Sequence, residues 1–551
     1  MIDRDIHRAR ALLVDGNAML RSVAMGQLRD AGVGHIDTVA RVRDARERLE
    51  RERYDIVLCN REFEGSEHSG QDLLDELRRE NLLPHRTVFL MIANRASYHQ
   101  VVEAAESALD GMLLRPYTGA LLMQRLQEAR RRKRELGDIM LALDTGNQAT
   151  AFARAYKRFV ERQPYAVYCG RVAAELLLDM RRYLEAQRVF EKLTEATKAV
   201  WARLGIARAQ MGAGDNASAR QTVREVLVEA PESADAHDLV GRLLIEQGDF
   251  EAALDAYRKA ADLTPGCLLR SQHAGALAFY QGRTREARQH FERCLGLGVQ
   301  SKLFDALTLL LLALVRHDEG DGPGAAAMHE QLRAFRLRYP DSPRIDRLTR
   351  CAEVLARLAD GRGAAALDAL REIGSRAGDD DFDLEAANML LALWARLPGD
   401  LCPGAEYAQL AERIGMRFCI SRAITESLVG AARGTEPALG VIRRCQARIS
   451  ALAEQAMARA LRGEAGAAAE QLLEIGQRTL NGRLLEMAAS IAGRHREHVN
   501  DADNLIARAA RQIQRSCRID GHIAGIQRTG RSPGGLLMRN RNVQDPVNAT
   551  T

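Results

Sequence analysis

The sequence predicts a compound fold: an α/β domain of five strand–helix units at the N-terminus, followed by an all-α superhelical array (an α-solenoid). Three observations carry this. Short apolar runs alternate with amphipathic stretches over the first 135 residues, and that alternation stops after Arg134. Beyond it, small and bulky apolar residues recur at helical spacing with a long, regular period. Hydrophobic residues make up 46% of the 551 and aromatics only 5%, with Ala, Leu, Glu and Arg abundant, a balance that favours helix packed on helix. The length allows three or four domains, or one small domain and an extended array.

The predicted strands are Ala11–Val14, His35–Val39, Ile56–Cys59, Val88–Ile92 and Met112–Leu114, each a short apolar run bounded by polar or turn-forming residues. Between and after them, 18–31, 42–51, 69–81, 98–108 and 119–134 space their apolar residues as helices do. Strand–helix units of this length predict a parallel, doubly wound sheet with helices on both faces. Ligand chemistry in such a sheet gathers at the carboxyl ends of the strands, here Asp15-Gly16, Asn60, Ala93 and Arg115-Pro116.

The stretches LLVDGNAMLRSV (12–23), DIVLCN with GQDLL (55–74), VFLMIANRAS (88–97) and LLRPYT (113–118) resemble the response-regulator receiver domain over residues 8–134. The separations between strand ends agree with it: 45 residues from Asp15 to Asn60, 33 to Ala93 and 22 to Arg115. The resemblance implies a flavodoxin-like (βα)5 fold. It also implies a set of reactive positions: a phospho-accepting Asp ending strand 3, an acidic pair after strand 1 that holds Mg2+, a hydroxyl residue ending strand 4 and a Lys ending strand 5. This chain has Asn60, Asp15-Gly16, Ala93 and Arg115 there. An amide has no anionic oxygen to attack phosphorus, and Mg2+ is held by oxygen ligands that usually include one or two carboxylates. Asp55 opens strand 3, Asp72 lies in the next helix and Glu62 and Glu64 lie in the loop, so none replaces the acceptor without a different backbone path. The expectation is a pseudo-receiver that is not phosphorylated, with no Mg2+ cofactor and no catalytic residue. Other readings of the same residues stay open: Asp15 holding loop backbone, Arg115 pairing with Asp15 as a structural ion pair, and Asn60 as a neutral plug.

After Arg134, residues 135–164 are expected to be helical linker. The unit that follows is a turn glycine, small apolar residues four and five positions later, and a bulky one at nine: Gly248, Ala252-Ala253 and Tyr257; Gly282, Ala287 and Phe291; Gly361, Ala365-Ala366 and Leu370; Gly463, Ala467-Ala468 and Leu472. The small position recurs at Ala186, Ala219, Ala253 and Ala287, in steps of 33, 34 and 34. With Trp201-Leu204-Gly205, His237-Val240-Gly241 and Ser271-Ala274-Gly275 as partners, and Pro231 and Pro265 closing two units, this resembles the tetratricopeptide repeat. Residues 165–300 match well, 301–516 continue as irregular repeats, and 517–551, rich in Gly, Arg, Asn and Pro, are expected to be disordered. A stacked superhelix presents a concave face, where Asp238, Arg242, Gln272, Phe279 and Tyr280 are expected to line a partner groove.

A net charge of +5 is small for this length, and no aromatics interleave with the run RRRKR (130–134), which reads as a solvated helix end rather than a nucleic-acid contact. Nine scattered cysteines without metal-ligand spacing suit reduced thiols, and no apolar stretch is long enough to span a membrane. The expected protein is bacterial, cytoplasmic and non-enzymatic, a phosphorelay (two-component) signalling adaptor. It would meet a sensor histidine kinase or another response regulator through the receiver face and a second protein or peptide through the groove. The alternatives are a phosphorylation- or Mg2+-responsive regulator and, less favoured, a nucleic-acid-binding one.

Overall fold

The computed structural model describes residues 5–63, 69–79, 82–94, 110–265, 267–299, 304–517, 522–523 and 526–527. The predicted helix 98–108, Glu64 and most of the expected disordered tail lie outside these residues.

Five parallel strands form the N-terminal sheet: β1 (Arg10–Val14), β2 (His35–Val39), β3 (Ile56–Asn60), β4 (Val88–Ala93) and β5 (Gly111–Leu114), in the order β2-β1-β3-β4-β5. Every residue of β3 and β4 is buried, as the unbroken apolar runs of a strand covered on both faces require. Alternation along the strands divides the core in two. Leu13, Leu58, Leu90 and Ile92 pack with Leu28 of α1 (Ala18–Asp30) and Leu122 and Leu126 of α4 (Gly119–Glu135). Leu12, Val57, Phe89 and Met91 pack with Leu49 of α2 (Val42–Arg51) and Leu73 and Leu77 of α3 (Gly70–Arg79). The register sets Val14 beside Cys59 and Asn60 beside Ile92, so the strand ends converge on one rim.

From Gly137 to Ser516 the described chain is helical, joined by short turns and two brief 3-10 segments. The turn glycines Gly248, Gly282, Gly361 and Gly463 all have φ between +71° and +90°, the left-handed conformation that stops one helix so that the next can fold back. Ala186, Ala219, Ala253 and Ala287 are fully buried where helices cross. The helix-A glycines leave room for the bulky residues: a Cβ on Gly205 would fall 2.4 Å from the Phe190 ring, one on Gly241 2.6 Å from Tyr257, and one on Gly275 2.7 Å from Phe291. Successive inner helices are also joined by arginine forks. Arg208 reaches Glu175 at 2.6 and 2.9 Å, and Arg270 reaches Asp235 at 2.6 Å and Asp238 at 2.8 Å.

The basic run at the end of α4 is not a solvated helix end throughout. Lys133 is buried, donates to His85 O at 2.6 Å and pairs with Asp110 at 3.1 Å, while Arg132 bonds Asp110 Oδ1 and lies over the Tyr168 ring. Asp144 accepts from His85 N at 2.8 Å. Lys133 thus finds the partners that a buried charge needs within the sheet domain, and Arg132 over Tyr168 and Asp144 on His85 N tie that domain to the first helices of the array.

The array also turns back on itself. Arg433 donates to Tyr280 O at 2.9 Å, Gly430 approaches so closely that a Cβ would lie 2.5 Å from the same oxygen, and Arg396 pairs with Asp318 at 2.6 Å. The helix Arg422–Ala431 therefore lies against the helices Ala234–Glu246 and Leu268–Tyr280.

Candidate functional site

The rim of the sheet brings Asp15, Asn60 and Arg115 together, as their strand-end positions require. Asp15 follows β1 and is fully buried; its Oδ1 accepts from Asn17 N at 2.9 Å, and Asn17 in turn caps α1. Arg115 follows β5. Its Nη2 donates to Asp15 Oδ2 at 2.5 Å, and its Nη1 to Asn60 Oδ1 at 3.2 Å and Asn94 Oδ1 at 2.9 Å. One guanidinium therefore joins the ends of β1, β3, β4 and β5. Its planar fork of donors suits this; an ammonium, a compact charge without the fork, does not match it.

Asn60 has both ends of its amide engaged, because its Nδ2 also donates to Glu62 O at 2.6 Å. Glu62 holds Asn94 at 3.2 Å, so it braces the loop. Ala93 is fully buried and brings no hydroxyl to the rim. Gly16 is not sterically obliged to be glycine: a Cβ there would meet Ala40 O and Phe63 at 3.6 Å, ordinary contact. Gly70 is obliged, since a Cβ would lie 2.2 Å from Asn60 O, where α3 begins against the end of β3. Cys59, the adjacent thiol, is driven well above its ordinary pKa by burial and secondarily by the charge of Asp15, so it stays protonated and is a poor nucleophile. Burial likewise raises the Tyr117 phenol, with Arg115 opposing.

These residues do not fit Mg2+. The single carboxylate spends one oxygen on Arg115 and the other on Asn17 N, and no cluster of three potential metal ligands occurs among the described residues. Asn94 is a pocket member that strand-end reasoning does not reach. Its only sequence signal is its position directly after β4.

Of the five residues expected to line a partner groove, Gln272, Phe279 and Tyr280 need correcting, while Asp238 and Arg242 are half-buried. Phe279 and Tyr280 are buried, Phe279 beneath Arg396 and Tyr280 beneath the returning segment that carries Gly430 and Arg433. Gln272 is buried and donates to Thr308 of the next inner helix at 3.1 Å. Asp238 pairs with Arg270, and Arg242 lies on the same helix. Helical spacing places all five on inner helices, but the closing of the array turns most of that face into interior.

The family model for the response regulator receiver domain matches residues 11–127, and that for the tetratricopeptide repeat matches residues 204–266. Chemotaxis protein CheY-3 of Vibrio cholerae serotype O1 is 29% identical over 119 residues, covering 22% of this chain and 89% of its own. Chemotaxis protein CheY of Pseudomonas aeruginosa is 26% identical over 119 residues, covering 22% and 94%. Among solved structures, the signal receiver domain of a Vibrio parahaemolyticus protein described as a LuxO repressor is 20% identical, with TM-score 0.21, over 23% of this chain and 92% of that one. In the described residues no helix is long and apolar enough to cross a membrane. The chain joins a response regulator receiver domain to a helical array that contains tetratricopeptide repeats.

Proposed function

We propose that this chain is a two-component signalling adaptor whose receiver domain works as a fixed docking surface rather than a phosphorylation switch. It acts without catalysis, in the cytoplasm, by holding proteins together. The observation that carries this reading is the Arg115 guanidinium, which spans Asp15, Asn60 and Asn94. A phosphoryl group in this pocket would need an anionic nucleophile, and the residue at the end of β3 is an amide already bonded at both ends. A metal would have to displace the guanidinium from Asp15, the only buried carboxylate of the rim among the described residues.

Partners that recognise a receiver by its outer surface, a sensor histidine kinase or another response regulator, are the expected ligands of this domain. The array, tied to it through Asp144, which accepts from His85 N, and through Arg132, which lies over the Tyr168 ring, supplies the second interaction region. The test is hydrogen exchange across residues 11–20, 56–63 and 110–118 of the full-length chain, with and without Mg2+ and a small-molecule phosphodonor. The expected result is no change in protection. Protection that rises at the strand ends on adding either ligand would contradict the proposal.

A further inference from the structure

In an open superhelical array the inner helices expose one side to the concave surface. Here they do not. The helix Leu384–Trp394 is buried at all its residues, the stretch Leu307–Val315 likewise, and the helix Leu268–Tyr280 at all but Leu269 and His273. A helix buried all round must be covered on every side. Neighbouring helices of the array cover part of this surface. Against the helices Leu268–Tyr280 and Leu384–Trp394 lie two further elements: the returning helix Arg422–Ala431, and a short antiparallel ribbon in which His522–Ile523 pairs with Ile526–Gln527. The first strand of the ribbon meets Leu384–Trp394 and Arg422–Ala431, and the second meets Leu268–Tyr280.

We propose that the inward face of the array is a binding site for an extended apolar segment, and that the chain's own strands His522–Ile523 and Ile526–Gln527 occupy it in cis. The backbone register pairs Ile523 with Ile526 and His522 with Gln527, so the sequence of the ribbon is apolar at its inner pair. A two-residue hairpin is not stable alone in water, so the ribbon depends on the surface beneath it. Its point of departure is fixed at the array. Ser516 O accepts from Arg417 at 3.1 Å, Arg515 pairs with Asp380 at 2.5 Å, and Cys517 Sγ donates to Leu480 O at 3.1 Å. From Cys517 to His522 the tether spans at most roughly 18 Å, which puts the segment at an effective concentration on the order of millimolar over the face. A partner that enters this face must present an extended apolar segment of its own and displace the tail. This departs from the sequence-based expectation of a wholly disordered C-terminus.

The test uses a fluorescent peptide of residues 518–530 and anisotropy titrations. The peptide is expected to bind a chain ending at Cys517, and to bind the full-length chain at least about tenfold more weakly, because the tethered copy competes. Full-length chain carrying I523D and I526D is expected to bind the wild-type peptide as the truncated chain does, and a peptide with the same two changes is expected not to bind. Equal affinity for full-length and truncated chains overturns the proposal. So does absence of binding to a truncated chain that keeps its helical circular dichroism. A dimer of the full-length chain that truncation abolishes would place the segment in a second copy and overturn occupation in cis. Should truncation prevent folding, hydrogen exchange in the unaltered chain decides: protected amides within 522–527 support the proposal, and exchange there at the rate of free peptide overturns it.

Discussion

The receiver pocket and the interior of the array hold the same device in different settings. In the pocket, Arg115 and Asp15 form an ion pair whose side chains are 14% and 1% exposed. In the array, Arg208 and Glu175 form one at 6% each, and similar forks join Arg270 to Asp235 and Asp238 and Arg344 to Asp305 and Glu385. In the array the pairs fasten one inner helix to the next, a purely architectural task. In the pocket the same pairing sits at the strand ends. The difference teaches that one cation there does for four strands what several do for the helices of the array: Arg115 pairs with the buried Asp15 and also donates to the Asn60 and Asn94 amides.

The largest effect should follow from breaking the most buried of these array pairs. Arg208→Ala leaves Glu175 charged and buried, and is expected to cost about 3–5 kcal/mol in urea-induced unfolding of the array. Arg115→Ala should cost about 3 kcal/mol in the receiver, toward the lower end because Asp15 keeps its bond from Asn17 N. If the pocket were still poised for chemistry rather than structure, losing Arg115 would cost little, and equal midpoints for wild type and variant would break the comparison.

A pair of glycine substitutions sharpens it. Gly241→Ala puts a Cβ 2.6 Å from the Tyr257 ring and should cost about 1–3 kcal/mol in the same unfolding assay. Gly16→Ala, with 3.6 Å to its nearest neighbours, should change receiver stability by less than about 0.5 kcal/mol. The array's glycine is required by packing. The pocket's glycine is not, since a Cβ there meets only ordinary contacts.

The smallest effect is a dependence on pH. His237, His290 and His317 have their pKa values lowered from the ordinary 6.5, in each case chiefly by burial. A histidine held neutral in the fold and free to protonate when unfolded contributes stability that is present above its unfolded pKa and lost as the pH falls toward the folded one. The unfolding midpoint of the array should therefore decline as the pH drops below about 6.5. Substituting all three by Gln should flatten that decline, and an unchanged slope would contradict the assignment.

Much of this was legible in the sequence, for reasons that differ by region. The strand runs and their separations placed Asp15, Asn60, Ala93 and Arg115 on one rim, because a parallel sheet with short loops leaves few places for strand ends to go. The Arg115–Asp15 pair was one of the open readings there. Asn94 was not legible, since nothing before the fold shows that Arg115, reaching across β4 to the ends of β3 and β1, also bonds the residue after β4. The helix-A glycines Gly205, Gly241 and Gly275 were legible because each meets a bulky neighbour within one repeat. Burial of Phe279 and Tyr280 was not, because it depends on Arg396, Gly430 and Arg433, more than a hundred residues further on. Local periodicity tells which residues share a helix face, but not which distant segment returns to cover it. The same holds for Lys133, whose partners His85 O and Asp110 lie on other elements.

The central claim is that the pocket cannot accept a phosphoryl group, and intact-protein mass measurement after incubation with Mg2+ and a small-molecule phosphodonor tests it most directly. Wild-type chain should be measured beside a variant carrying G16D, N60D and R115K, which returns the second carboxylate, the nucleophile and the compact cation to positions that have space for them. The account predicts no added mass on the wild type and a phosphoryl increment, removable by hydroxylamine, on the triple variant. A hydroxylamine-sensitive increment on the wild-type receiver would contradict it.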